Sequence, residues 1–262
     1  MKVEIISIGD ELLIGQVINT NAAYLAKHLT NLGLQVAWIT TVGDQAEELK
    51  SALAIAMERS DIVITTGGLG PTHDDITKTV AAEYFESGLV FRPEILERLK
   101  RAFEMRGLKM AAINEEQAQV PEKAKIISNR MGSAPGLLFE KNGKKCFILP
   151  GVPSEMKAIC EETIFPMLKG QGQAVLQKTV RTTGIPESTL FERVGDISKI
   201  EEIVKVAFLP KAAGVDIRLT AKGKSSMECQ QKLEQGLTIF QEKISEHIYG
   251  YDDERLEEVV AN

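Results

Sequence analysis

The first third of the chain alternates short apolar runs with segments in which apolar residues recur every three or four positions. The runs at 2–9 (KVEIISIG), 35–43 (QVAWITTVG) and 61–66 (DIVITT) are rich in β-branched residues and predict strands, the first buried on both faces. Between them, residues 19–32 and 47–59 have the spacing of amphipathic helices. Because strands that alternate with helices form a parallel sheet with helices on both faces, the pattern predicts an α/β fold.

The same alternation continues less regularly to about residue 168. The further elements predicted there are helices over 76–85, from Pro93, over 114–119 and from Ser154, the last kinked or ended by Pro166, and strands over 125–128 and 143–150.

A polar, glycine-rich stretch at 169–172 (KGQG) predicts a linker. The segment after it predicts a small α+β unit, with strands over 175–183, 204–209 and 215–221 and helices from about Pro186 and over 226–247. The predicted domains are therefore 1–169 and 173–250, and we expect 251–262 to be a tail or a truncated linker.

Composition narrows the class of protein. The chain has 262 residues, a net charge of −6 and a pI of about 5.3, which argues against a nucleic-acid partner bound through a broad basic face. No apolar run approaches the roughly 20 residues of a membrane helix, so we expect no membrane association. The N-terminus has no secretory pattern, and the three cysteines show no metal or redox spacing. We therefore expect a cytoplasmic protein.

Glycines and acids follow four of the predicted strands at the point where each strand ends. Gly9 and Asp10 follow the first strand, and Asp44 follows the second. The third strand ends in TTGGLGPTHDD (65–75) and the strand at 143–150 in PGVPSE (150–155). Because the carboxyl ends of parallel strands meet at one edge of a sheet, we expect all four loops to form one ligand site.

The residues of these loops suit a phosphorylated ligand and a metal. Thr66, Gly67, Gly68 and Gly70 can turn successive backbone N–H groups toward an anion. Acids in the same pocket would repel a phosphate unless a divalent cation with oxygen ligands lay between them. The candidate metal ligands, direct or through water, are Asp10, Asp44 and Asp75.

Each of these polar residues also has a purely structural interpretation. Asp44 could be a helix N-cap, whereas Asp74 and Asp75 could be acids of the first helical turn. Asp10 and Glu11 could be solvated loop acids, Ser154 a helix cap and His73 an ordinary loop residue. The loop after the third strand fits neither the P-loop nor the G-x-G-x-x-G fingerprint, and the chain has no G-x-S-x-G elbow or H-E-x-x-H motif.

Five motifs together resemble the N-terminal part of the CinA (competence/damage-inducible protein) family and, more distantly, the MogA/MoaB molybdopterin-binding fold. They are GDELLIGQVINTNAAYLAKHL (9–29), VGD (42–44), TTGGLGPTHDDITK (65–78), SAPG (133–136) and LPGVPSEMK (149–157). RTTGIPES (181–188) and DIRLTAKG (216–223) resemble the small domain that follows in CinA. The resemblance implies a three-layer molybdopterin-binding-like α/β domain with a mostly parallel sheet, followed by a small α+β domain.

The resemblance also implies an activity, namely hydrolysis of ADP-ribose, or a related nucleotide diphosphate, at its pyrophosphate with Mg²⁺, Mn²⁺ or Co²⁺. Carried over to this sequence, it makes Asp44 and Asp75 the catalytic residues. The candidate substrate-binding residues are Gly9, Asn19, Asn21, Thr66, Gly67, Gly68, Gly70, Pro150, Gly151, Pro153, Ser154 and Glu155. By the same resemblance we expect a homodimer. The serine-containing motif of the CinA deamidase domain is absent, so we expect no deamidase activity.

Two alternatives stay open. The first is a pterin or nucleotide binding module without hydrolysis, although Leu69, His73 and Asp74 depart from the molybdopterin enzymes and disfavour adenylylation. The second makes the small domain a nucleic-acid or protein partner module, for which a solvated basic face is the simpler explanation. Its basic residues are Lys205, Lys211, Arg218, Lys222 and Lys224.

Overall fold

The computed structural model describes residues 1–72, 75–105, 107–211 and 213–261, apart from the side chain of Ala102. His73 and Asp74, which the sequence placed in a loop and a first helical turn, lie outside the described residues. The chain divides into two compact units, one of Met1–Thr30 with Leu34–Gly172, the other of Asn31–Gly33 with the residues from Gln173 onward.

The larger unit is built on a mixed sheet. Its strands are β1 (Lys2–Ile8), β2 (Gln35–Val42), β3 (Ile62–Thr66), β4 (Leu89–Phe91), β5 (Gln119–Pro121), β6 (Lys125–Ile127), β7 (Gly136–Lys141) and β8 (Lys144–Leu149). Six of these form one sheet in the order β2-β1-β3-β8-β7-β6, while β4 and β5 pair separately. The pairs β1–β2, β1–β3 and β3–β8 are parallel, whereas β7 is antiparallel to both β8 and β6. The expected mostly parallel sheet is confirmed.

Helices cover both faces of this sheet. They are α1 (Asp10–Leu13), α2 (Thr20–Asn31), α3 (Ala46–Arg59), α4 (Thr77–Tyr84), α5 (Pro93–Met105), α6 (Pro153–Ile159) and α7 (Phe165–Leu168), with a 3-10 helix at Ala112–Ala118. On one face, side chains of α3, α4 and α5 pack with Ile6 and Ile148 of the sheet. On the other, Ile159 of α6 packs beside Leu149, and α2 contacts Phe165 of α7. The result is the predicted three-layer arrangement.

Two local expectations differ from the structure. Pro166 does not end its helix, because a π-helical stretch at Cys160–Ile164 joins α6 to α7 and the chain stays helical to Leu168. A π-turn widens the helix, which relieves the clash that a proline ring makes with the preceding turn. The sequence pattern also missed β7, which begins at Gly136 within the SAPG motif.

The smaller unit is a four-stranded antiparallel sheet with helices. Its strands β9 (Ala174–Thr182), β10 (Lys205–Lys211), β11 (Gly214–Gly223) and β12 (Ile248–Tyr251) lie in the order β10-β11-β9-β12. Its helices are α8 (Glu187–Val194), α9 (Ser198–Glu201), α10 (Ser226–Ile244) and α11 (Leu256–Val260), the last within the segment predicted as a tail. Phe240, Ile217 and Leu219 are fully buried in its core. In neither unit is any described helix both long and apolar enough to cross a membrane.

Candidate functional site

The loops after β1, β2, β3 and β8 meet at one edge of the sheet and line a cavity of about 550 Å³. This volume lies within the range of small-molecule sites, and its position at the carboxyl ends of parallel strands is where α/β sheets bind ligands. The lining residues are Ile8, Gly9, Glu11, Asp44, Gly67, Gly68, Leu69, Gly70, Pro71, Asp75, Gln117, Ser133, Ala134, Pro150, Gly151, Val152 and Glu155.

The glycine loop after β3 requires glycine at two positions. Gly67 has φ 121° and Gly68 has φ 65°, both in the region that favours glycine. A Cβ at Gly67 would lie 2.2 Å from the Ile8 carbonyl oxygen, and one at Gly68 would lie 2.2 Å from Thr77 Oγ1. The backbone therefore approaches its neighbours more closely than any side chain permits.

This loop presents fewer amides than the sequence suggested. The Gly67 N–H donates to the Leu149 carbonyl at 3.1 Å, and the Gly70 N–H donates to Asp75 Oδ1 at 2.6 Å. The N–H groups of Gly68 and Leu69 have no hydrogen-bond partner among the residues that the structure describes. Two successive amides, rather than four, are thus available to an anion.

Asp75 closes the same loop. Its Oδ1 accepts from the Gly70 N–H, and its Oδ2 accepts from the Thr72 N–H at 2.9 Å and from Thr72 Oγ1 at 2.6 Å. A carboxylate offers about four lone-pair sites, so one remains for another partner. Asp75 lies ahead of α4, which begins at Thr77, and so is not an acid of its first turn.

Asp10 and Asp44 connect the ends of β1 and β2. The Asp10 N–H donates to Asp44 Oδ2 at 3.0 Å, and the Asp44 N–H donates to Asp10 Oδ1 at 3.2 Å. A Cβ at Gly43 would lie 2.4 Å from Asp10 Oδ1, so glycine is required beside this pair. Asp44 lines the cavity and Asp10 does not. Asp44 is also not the N-cap of α3, a position that Gln45 occupies without a side-chain capping bond.

Glu155 is held in the cavity wall by Asn129, which the sequence analysis missed. Asn129 is 2% exposed, and its Nδ2 donates to Glu155 Oε2 at 2.6 Å and to the Ala134 carbonyl at 2.8 Å. Its Oδ1 accepts from the N–H groups of Met131 and Gly132. Asparagine favours such turns, which was the signal available in the sequence ahead of the SAPG motif.

The other predicted residues lie beside the cavity. Asn19, Asn21, Thr66 and Pro153 line a neighbouring space of about 120 Å³, which shares Ile8, Glu11 and Gly151 with the main one. Asn19 Oδ1 accepts from the Ala22 N–H, as expected at the start of α2. Asn21 Nδ2 donates to Thr66 Oγ1 at 3.0 Å and to the Gly151 carbonyl at 2.7 Å, joining α2 to two of the loops.

Ser154 belongs to neither cavity lining. The sequence predicted it as the cap of its helix, but α6 begins at Pro153 and its N-cap is Val152. Proline is favoured at the first helical position because its missing N–H would be unbonded there in any case.

The described lining of the main cavity carries four carboxylates, those of Glu11, Asp44, Asp75 and Glu155, and no lysine, arginine or histidine. Within residues 1–72, 75–105, 107–211 and 213–261, no group of three or more His, Cys, Asp or Glu side chains lies close enough to hold a metal ion. The predicted set of Asp10, Asp44 and Asp75 is therefore not gathered into one group, and the acids are spread around the wall.

A second cavity, of about 500 Å³, lies against α3 and is lined by residues that include Glu4, Thr40 and Arg59. Its buried carboxylate, Glu4, already accepts hydrogen bonds from Arg59 and Thr40. It has neither a glycine loop nor unpartnered amides in its lining, so the cavity at the carboxyl edge is the candidate site.

The larger unit is a molybdopterin-binding-type α/β domain, since residues 4–170 match the family model described as a probable molybdopterin binding domain. Residues 177–250 match the model of the damage-inducible protein CinA KH domain. With both domains in this order, the chain belongs to the CinA family. The family resemblance and the fold class predicted from the sequence are confirmed.

Individual relatives agree with this assignment. The chain is 45% identical to a putative competence-damage inducible protein of Caldicellulosiruptor bescii, over 99% of this chain, and 42% identical to a CinA-like protein of Dictyoglomus turgidum, over 100%. It spans 64% of the length of each of these relatives. The crystal structure of CinA from Thermoplasma acidophilum, a protein described as having unknown function, matches with a TM-score of 0.58 and 35% identity. That match covers 63% of this chain and 97% of the other.

Proposed function

We propose that the larger unit is a divalent-metal-dependent hydrolase that cleaves the pyrophosphate of ADP-ribose or of a related nucleotide diphosphate. One observation carries the proposal. In a cavity of about 550 Å³, two unpartnered backbone N–H groups stand among four carboxylates, without a basic side chain in the described lining. Amides attract an anion and carboxylates repel it, so this lining suits an anion that binds together with a cation.

The glycine loop would hold the diphosphate. The amides of Gly68 and Leu69 would donate to one phosphate oxygen, as successive N–H groups do in anion-binding nests. Because Gly67 and Gly68 carry no side chain, the phosphate can approach the backbone directly. Asp75 would keep the loop in this shape through its bonds to Gly70 and Thr72.

The donors present fit a divalent metal. Carboxylate oxygens are the ligands that Mg²⁺ and Mn²⁺ prefer, and Mg²⁺ is usually held by one or two carboxylates together with waters and substrate phosphates. A preassembled group of three acids is therefore not required, and Asp44 and Asp75 are the residues that would hold the ion. When bound, it would neutralise the diphosphate and polarise a phosphoryl oxygen.

Glu155 is the candidate for the general base, because Asn129 fixes its carboxylate in the cavity wall. Water would add to one phosphorus as the bridging P–O bond breaks, and Glu155 would accept the proton that the water loses. The products from ADP-ribose are AMP and ribose 5-phosphate.

The test is AMP release from ADP-ribose by the purified chain with Mg²⁺, Mn²⁺ or Co²⁺, each compared with excess EDTA. We expect release with at least one metal and none in EDTA. Correctly folded protein that releases no AMP with any of the three metals would refute the proposal.

A binding module without hydrolysis is the second candidate, and the match to a probable molybdopterin binding domain favours it. It predicts saturable binding of a pterin or nucleotide in a calorimetric titration, with no product formed. The expected homodimer stays a prediction, which light scattering in solution tests.

The sequence of the smaller unit does not favour nucleic-acid binding. KH modules clamp a nucleic-acid backbone with a G-x-x-G loop, and no G-x-x-G sequence occurs in residues 173–250. The connection between α8 and α9 reads Gly195, Asp196, Ile197 and places an acid where a phosphate would lie. A mobility shift with single-stranded RNA that is lost at moderate salt would reopen this possibility.

A further inference from the structure

Gln117 lines the candidate site with a side-chain amide that has no partner. The residue is 4% exposed, and neither Oε1 nor Nε2 forms a hydrogen bond to any residue that the structure describes. Buried polar atoms are almost always paired, because a donor or acceptor left unbonded away from water is costly. An unpaired buried amide in the wall of a ligand cavity therefore suggests that the ligand supplies the partner.

The backbone around Gln117 is anchored on both sides. Lys78 Nζ donates to the Glu116 carbonyl at 2.8 Å, and the Arg92 N–H donates to the Ala118 carbonyl at 2.9 Å. Ala118 itself is fully buried. Gln117 consequently cannot turn to solvent without breaking the 3-10 helix at Ala112–Ala118, and its amide stays at the cavity.

A carboxamide offers one acceptor and one donor side by side in a plane. Its complement is a flat edge with an adjacent donor and acceptor, such as the exocyclic amine of adenine with a neighbouring ring nitrogen, a pairing that glutamine makes with adenine in protein–DNA complexes. The glycine loop lines the same cavity and supplies the two unpartnered amides for phosphate. One cavity thus contains groups suited to both ends of a nucleotide.

We propose that Gln117 determines base specificity by pairing with the amine and an adjacent ring nitrogen of adenine. This inference rests on the proposed function only for the identity of the ligand as an adenine nucleotide. It adds a residue that selects the base, at a distance along the chain from every glycine and acid of the site.

The test compares two probes, ADP and the diphosphate of purine riboside, which lacks the exocyclic amine. Both are titrated calorimetrically into the full chain with Mg²⁺. We expect the wild-type chain to bind ADP at least about 10-fold more tightly than the analogue, as sites built to hydrogen-bond a polar group do. Gln117→Met should bind the two equally, and inorganic pyrophosphate should bind Gln117→Met and wild type alike.

Two variants serve as controls. Gln119→Ala removes an exposed amide of the same segment that does not line the cavity, and it should keep the preference for ADP. Gln117→Glu keeps the shape and an acceptor but loses the donor, so it should lose most of the preference. The midpoint of thermal unfolding without ligand should not fall in Gln117→Met, because no protein partner is left unpaired.

Several results would overturn the inference: no ADP binding by the wild type, an unchanged preference in Gln117→Met, or equal loss of ADP and pyrophosphate with a lowered unfolding midpoint. Tighter binding of a pterin than of ADP, also dependent on Gln117, would overturn the assignment to adenine. Selective ADP binding without AMP release would refute the proposed hydrolysis but not this inference. AMP release by a Gln117→Met variant that still prefers ADP would do the reverse.

Discussion

The larger unit treats its acids in two different ways, in the interior of the sheet and at the carboxyl edge. Inside the sheet, Glu4 is fully buried and accepts from Arg59 Nε at 2.8 Å, Arg59 Nη2 at 2.6 Å and Thr40 Oγ1 at 2.7 Å. At the edge, Asp44 and Asp75 accept from backbone N–H groups, and the described lining supplies no cation. The chain pairs the acid that it buries for folding and leaves positive charge at the edge to be supplied by a ligand.

The titration of Glu4 reflects this pairing. Burial alone would raise its pKa, but hydrogen bonds from Arg59 and Thr40 outweigh burial and lower the pKa below its usual value near 4.5. The guanidinium of Arg59 also stacks over the ring of Trp38 at 4.5 Å. The interior acid is thus stabilised as an anion by the fold itself.

The largest effect on stability should come from removing the cation of the interior pair. Arg59→Met leaves the Glu4 carboxylate buried without its partner, which should cost about 3 kcal/mol of unfolding free energy at neutral pH. Urea denaturation measures it. The double variant Glu4→Met with Arg59→Met should regain most of this loss, because apolar side chains of similar size then fill the site. A loss below about 1 kcal/mol in the single variant would contradict the interior role of the pair.

The edge acids should instead affect activity. Asp44→Ala is expected to lower metal-dependent kcat/KM by about 100-fold, with little change in stability, because its carboxylate is predicted to hold the ion. Asp61→Ala is the matched control. Asp61 also accepts a backbone N–H across neighbouring strands, from Lys2 at 2.7 Å, but it lies at the opposite ends of the strands and lines none of the cavities described above. Equal activity losses in the two variants would contradict a role specific to the edge.

A smaller effect is expected at the glycine loop. Gly68→Ala forces a side chain into left-handed backbone at φ 65° and toward Thr77 Oγ1, 2.2 Å from its Cβ. We expect a loss of about 2 kcal/mol in stability, together with weaker nucleotide binding. Gly15→Ala, at φ 72° with nothing within 4 Å of its Cβ, separates backbone strain from crowding and should lose about 1 kcal/mol without affecting binding. If both variants bind nucleotide like the wild type, the loop does not hold the phosphate.

The smallest effect should appear in the pH dependence of stability. Because the pKa of folded Glu4 is lowered, its contribution is fully present above the unfolded value near 4.5 and is lost as the pH falls through the folded value. The stability difference between the wild type and Glu4→Gln should therefore be constant above about pH 5.5 and shrink below about pH 4.5. A difference that stays constant down to pH 3 would show that Glu4 is not held as an anion by its partners.

Local patterns predicted much of this structure. The strands β1, β2, β3 and β8 follow from apolar runs, and their order along the chain was sufficient to predict the edge where Asp44, Asp75 and the glycine loop line one cavity. The reciprocal bonds of Asp10 and Asp44 were not predictable, since they depend on how two strands far apart in sequence are aligned. That alignment turns Asp44 toward the cavity and leaves Asp10 outside its lining.

Gln117 and Asn129 were missed for a related reason. Both lie in segments of weak periodicity, and their importance comes from burial against loops more than 20 residues away in sequence. Nothing in the local pattern distinguishes a buried, unpartnered glutamine from the exposed Gln119 two positions later. Side chains that act through long-range packing are the part of a site that a single sequence shows least.

The most direct test of the central claim is the affinity of the chain for ADP, measured by calorimetry after metal removal, with EDTA or with saturating Mg²⁺. A cavity lined by carboxylates should bind the diphosphate at least about 10-fold more tightly with Mg²⁺, and Asp44→Ala should lose that difference. Equal affinity of the wild-type chain in EDTA and in Mg²⁺ would show that the edge acids do not hold a cation against the ligand.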